Sequence, residues 1–157
     1  STREVEFFRP TVEMNLWFKD LEEEFLPTRS LPPTDTNYAV FLLPTGQWTH
    51  DLIRSRSDMH IFKLAHPGAG VKVRLKWRLL GATKLLPQLV LANTEGAILK
   101  KYRLRRRKEF SVPLKFGTHA FYLLKISDEL GELAGQDGGF QFFNYEVGVF
   151  VEPEGSG

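Results

Sequence analysis

The sequence predicts an all-β protein, an antiparallel β-sandwich of jelly-roll type with about eight to ten strands. Three observations carry that expectation. The chain holds 13 Phe, 4 Tyr and 3 Trp, and aromatic side chains favour pleated, half-buried surfaces. The stretch VKVRLKWRL alternates strictly, with Val71, Val73, Leu75, Trp77 and Leu79 on one face and Lys72, Arg74, Lys76 and Arg78 on the other. Short apolar runs follow one another between turn signals, and none has the length or the 3.6-residue period of a long helix.

In chain order, REVEFFR reads as a strand, with Val5 and Phe7 opposing Glu4 and Glu6. TVEMNLWFKDLEEEF fits a helix through Val12, Leu16 and Lys19 or a strand through Met14, Leu16 and Phe18, and is read as a short strand leading into an acidic turn at Glu22, Glu23 and Glu24. The proline-rich LPTRSLPPTDTN is an extended connection. Residues 38–43, YAVFLL, form a buried strand stopped by the turn PTGQ, and WTHDLIRSRSD reads as polar and irregular. HIFKLA (60–65) is a strand closed by HPGAG, and the alternating run over 71–79 follows. LPQLVLA (86–92), AILKKYRL (97–104), EFSVPLKF (109–116) and HAFYLLKI (119–126) are further strands at short spacing. SDELGELAGQDGG is a glycine-rich acidic loop. The closing strand presents Phe143, Tyr145, Val147, Val149 and Val151 on one face. There is no internal repeat, so residues 1–157 are expected to be a single sandwich domain, read as part of a longer protein.

The chain has no cysteine, which excludes thiolate nucleophiles, Cys-bound zinc and iron–sulfur clusters and fits an intracellular, cytoplasmic setting. No stretch reaches the roughly 18 apolar residues of a membrane-spanning helix. Net charge is only +2, but it is segregated. Residues 1–58 carry ten acids and six bases, residues 59–108 thirteen bases and one acid, and residues 109–157 eight acids and two bases. That acidic, basic, acidic order is the main functional clue.

From SDMHIFKL through VKVRLKW, PQLVLANTEGAIL and the closing FGTHAFYLLKI and FNYEVGVFVE, about residues 58–151, the chain resembles the bacterial pre-peptidase C-terminal domain. The same run is similar to the β-sandwich that follows the protease core in calpains. Both resemblances imply a non-catalytic accessory module that binds partners, substrates or membrane surfaces. The cationic middle is a departure that neither family pattern requires. Asp residues do not cluster in paired loops, so calcium binding is not implied.

The basic residues suggest a binding face. Lys72, Arg74, Lys76 and Arg78 project from one side of one strand, Lys101 and Arg103 from one side of another, and Arg105, Arg106 and Arg107 continue into a turn. If the two strands share a sheet, these residues form one cationic surface suited to an acidic protein, another domain of the same chain, or an anionic membrane. The alternative is sequence-independent RNA or DNA binding by the same residues, since phosphate contacts position a backbone without reading bases. A third reading is an accessory domain of a calpain-like protein. Competing with all three is a solvated sheet face, or one covered by acids from the flanking segments.

No catalytic residue, metal ligand set, cofactor or small-molecule substrate is expected. The pairs His50–Asp51 and Asp58–His60 lack the third convergent ligand that a metal needs. No serine sits in a nucleophile elbow and no phosphate-binding glycine loop occurs. Arg54 precedes Ser57 at a spacing that basic-directed kinases accept. The aromatic-rich N-terminal segment with Trp17, Phe18 and Phe25 either completes the sandwich or covers a sheet edge.

Overall fold

The computed structural model describes residues 5–8, 38–56, 58–93, 97–130 and 142–153. These hold ten strands and no helix: β1 (Val5–Phe8), β2 (Tyr38–Leu42), β3 (Thr49–Ile53), β4 (Met59–Ala65), β5 (Val73–Leu80), β6 (Pro87–Ala92), β7 (Ile98–Arg103), β8 (Glu109–Leu114), β9 (Phe121–Asp128) and β10 (Phe143–Val151). The readings of the acidic N-terminal turn, the prolines of 27–33, Ser57, Trp17, Phe18, Phe25 and the glycine-rich loop beyond Leu130 lie outside the described residues.

The strands form two sheets, β1-β2-β4-β9-β6-β7 and β3-β10-β5-β8. Every pair is antiparallel except β2 with β4, which run parallel. From β3 onward β3 pairs with β10, β4 with β9, β5 with β8 and β6 with β7, the chain crossing between sheets at every step except the β6–β7 hairpin, which is the jelly-roll order. β1 and β2 extend the larger sheet beyond β4.

The alternation of β5 sets the core. Val73, Leu75, Trp77 and Leu79 point inward and meet Phe143, Tyr145, Val147 and Val149 of β10 in the same buried cluster. Across the interior lie Phe62 and Leu64 of β4, Leu89 and Leu91 of β6, and Tyr122, Leu124 and Ile126 of β9. Trp77 stacks on Tyr145 with centroids 4.9 Å apart and 12° between planes, and Phe143 meets Trp77 nearly edge-on. The larger sheet is apolar on its other face too, where Val40, Ile61, Val90, Ala92 and Leu123 form a second buried cluster. That accounts for the apolar run 89–92 of β6, a strand whose six residues, Gln88 included, are all buried.

Side chains tie the strand ends to the backbone. The buried Asp128 carboxylate accepts the Leu86 N–H at 2.7 Å and the Leu130 N–H at 2.9 Å, pinning the start of β6 to the end of β9. The Tyr122 hydroxyl donates to the Lys115 carbonyl at the β8–β9 corner, in the manner of the tyrosine corners of other sandwiches.

Four expectations about strand extent need correction. Residues 49–53 are strand β3, because they pair with Phe143–Val147 of β10. Ser127 and Asp128 belong to β9 and not to the following loop. Val71 precedes β5 and is 38% exposed, and Val151, at the end of β10, is 53% exposed, so neither joins the core.

Candidate docking surface

Inward alternation of β5 forces Arg74, Lys76 and Arg78 onto the outer face of the four-stranded sheet. Lys72 precedes the strand and is exposed, its carbonyl accepting the Glu152 N–H at 2.8 Å. Lys101 and Arg103 lie on β7, which is the last strand of the six-stranded sheet. The expectation of a single shared face therefore fails. Strict alternation would return β7 to the sheet of β5, but β6 and β7 form a hairpin within the six-stranded sheet, so β5 and β7 fall on different sheets.

The two sets are nevertheless connected around the sandwich edge. β7 and β8 end their respective sheets on the same side, and residues 104–108 join them. At one end of this turn the Leu104 N–H donates to the Pro87 carbonyl at 2.9 Å, within the larger sheet. At the other, the Lys108 carbonyl accepts the Leu79 N–H at 2.7 Å, within the smaller one. Tyr102 and Phe110, with centroids 4.9 Å apart, close the gap beneath. The basic residues thus wrap a corner.

Their electrostatic settings differ. Arg74 is occupied: its guanidinium donates to Glu152 at 3.0 Å, to the Ser111 hydroxyl at 2.9 Å and to the Ser111 carbonyl at 3.3 Å. Arg78 has Glu109 and Glu146 opposite it in register on the two neighbouring strands, yet stacks on Trp48 with its guanidinium carbon 4.0 Å from the ring centroid. Lys76 sits 5.3 Å over the Phe150 ring. The outer face of β5 is therefore a ladder of mixed charge, with acids supplied by β8, β10 and Glu152.

At the corner, Glu129 takes both Arg105, in a two-pronged contact at 3.1 and 3.3 Å, and Arg103 at 3.5 Å. Arg106, Arg107 and Lys108 are exposed and make no ion pair among the described residues. Arg105 holds φ +47°, a left-handed conformation that costs a non-glycine residue about 1 kcal/mol. Its guanidinium is fixed on Glu129 all the same.

Sequence reasoning missed Trp48, Phe150 and the acids Glu109, Glu129, Glu146 and Glu152. Trp48 follows a turn in a stretch without periodicity, and only the pairing of β3 with β10 brings it beside Phe150, centroids 5.0 Å apart. Of the two histidine–aspartate pairs, His60 gathers both acids, Asp51 and Asp58. Its Nδ1 lies 3.7 Å from Asp51 and its Nε2 lies 3.9 Å from Asp58. Among the described residues no group of three His, Asp or Glu side chains could hold a metal ion, and no helix is long and apolar enough to cross a membrane. The sequence matches no protein-family model, and no curated protein is significantly similar to it.

Proposed function

We propose that this domain is a non-catalytic interaction module that docks an acidic segment of a partner protein on the β7–β8 corner. The observation that carries the reading is the exposure of Arg106, Arg107 and Lys108 without ion pairs among the described residues, beside Arg103 and Arg105, which share Glu129. An exposed ion pair contributes only about 0.2–1 kcal/mol, so electrostatic docking needs several at once. Residues 100–108 offer seven cations in one short stretch of chain.

Nucleic acid is less well supported by the same surface. Sequence-independent binding of single strands relies on aromatic faces for base stacking. Here Trp77 is buried, Tyr102 is half-buried against Phe110, and Trp48 is covered by Arg78. Cations without stacking platforms suit carboxylates.

The test is a titration of a short Asp/Glu-rich peptide, and separately of a single-stranded oligonucleotide of equal charge, at low and moderate salt. The reading expects the peptide to bind with steep salt dependence and the Arg106→Ala/Arg107→Ala variant to bind it weakly. Oligonucleotide binding without peptide binding would replace it with the nucleic-acid reading. Absence of both at low salt removes it.

A further inference from the structure

The outer face of the smaller sheet carries a groove of about 320 Å³ lined by Trp48, Lys76, Arg78, Glu109 and Ser111, with the backbone of β5 and β8 beneath. We infer that this groove is an anchor pocket for one carboxylate side chain of the acidic partner. The inference rests on the docking function proposed above and assigns that partner a specific point of attachment.

The groove is built, beginning with Gly148. This residue is buried on β10, in register with Lys76. A Cβ there would meet the Phe150 ring at 2.7 Å and the Gln47 carbonyl at 2.8 Å. Its absence lets residues 45–48 lie against β10, where Thr45 bridges Val149 and the Gly46 N–H donates to the Val149 carbonyl at 2.7 Å. That approach delivers Trp48 to Phe150 and to Arg78. Stacking fixes the plane of the guanidinium while leaving its N–H edge for a planar, bidentate acceptor.

Charge selects the ligand. Lys76 and Arg78 make no ion pair among the described residues, although Glu109 and Glu146 stand opposite Arg78. Two cations against Glu109 leave the lining with one positive charge, which one carboxylate balances. A phosphate, with about two negative charges, would crowd Glu109. Ser111 already accepts from Arg74, so its hydroxyl hydrogen is left to donate to the same carboxylate. The volume lies near the lower end of the roughly 300–1,000 Å³ of small-molecule pockets, suiting a side chain or two.

Trp48 is also the reporter. The experiment titrates a tryptophan-free peptide containing Glu-Phe-Glu, and its Gln-Phe-Gln counterpart, while following the emission that Trp48→Phe abolishes. Binding of the Glu peptide should change that emission, and Arg78→Met should weaken binding roughly tenfold, one charge-assisted hydrogen-bonding group being lost. The Gln peptide should leave the emission unchanged. If the Glu peptide binds with salt dependence but Trp48 emission does not respond and Arg78→Met binds equally well, this inference is overturned while docking at the corner stands. If the Glu peptide does not bind even at low salt, both are overturned. Circular dichroism of Arg78→Met and Trp48→Phe checks that both variants are folded, as expected for side chains on the outer face.

Discussion

His60 on β4 and Tyr145 on β10 meet across the sandwich, with the imidazole Nδ1 2.5 Å from the phenol oxygen. The contact joins the two sheets through polar groups beside an aromatic cluster, with Trp77 stacked on Tyr145 and Phe143 near by. Tyr145→Phe keeps the stack and removes the hydroxyl. It should lower unfolding free energy by about 1 kcal/mol, read as a lower urea midpoint at unchanged slope.

Gly148→Ala should cost about 1–3 kcal/mol, because the added methyl meets a ring and a carbonyl at distances real contacts do not reach. The same variant should expose Trp48, seen as a red shift in emission. A stability within a few tenths of the parent would mean that residues 45–48 are free to move off β10.

The left-handed backbone of Arg105 separates two substitutions that both remove its pair with Glu129. Glycine adopts this conformation without penalty and alanine does not. Arg105→Gly should therefore be more stable than Arg105→Ala by about 1 kcal/mol in chemical denaturation. Equal stabilities would contradict the turn conformation.

Tyr102 and Tyr122 ionise above the ordinary phenol value of 10.0, both because burial disfavours the phenolate. Their protons are held more tightly in the folded chain than in the unfolded one. The stability linked to them is thus complete below pH 10.0 and is lost as pH rises from there through the folded values. Denaturant titrations across that range should show the decline. Tyr122→Phe should reduce its slope and, by removing the bond to Lys115, cost about 1 kcal/mol at neutral pH.

The legible parts of this fold are those in which one strand declares its own faces. Val73, Leu75, Trp77 and Leu79 alternate with cations, and all four are buried. β3 was illegible because its pattern is inverted: Asp51 faces His60 and Tyr145, while Leu52 takes the opposite side. The candidate site shows the same limit. The faces of Lys101 and Arg103 relative to Tyr102 follow from local period, but sheet membership depends on non-local pairing. So do the counterions, since Glu152, Glu146 and Glu129 come from chain far from the cations they neighbour. The corner surface could be read as charge in the sequence, and only the topology shows which of that charge finds an acid among the described residues.

Arg106, Arg107 and Lys108 are the most direct point of attack on the account. Replacing Arg106 and Arg107 by Glu reverses charge on an exposed turn and leaves the core untouched. The decisive measurement is the affinity of an Asp/Glu-rich peptide for the parent and for this charge-reversed protein across a salt series. The account predicts loss of most binding at low salt, with the two proteins converging as salt screens the surface. Equal affinity and equal salt dependence in both would contradict it.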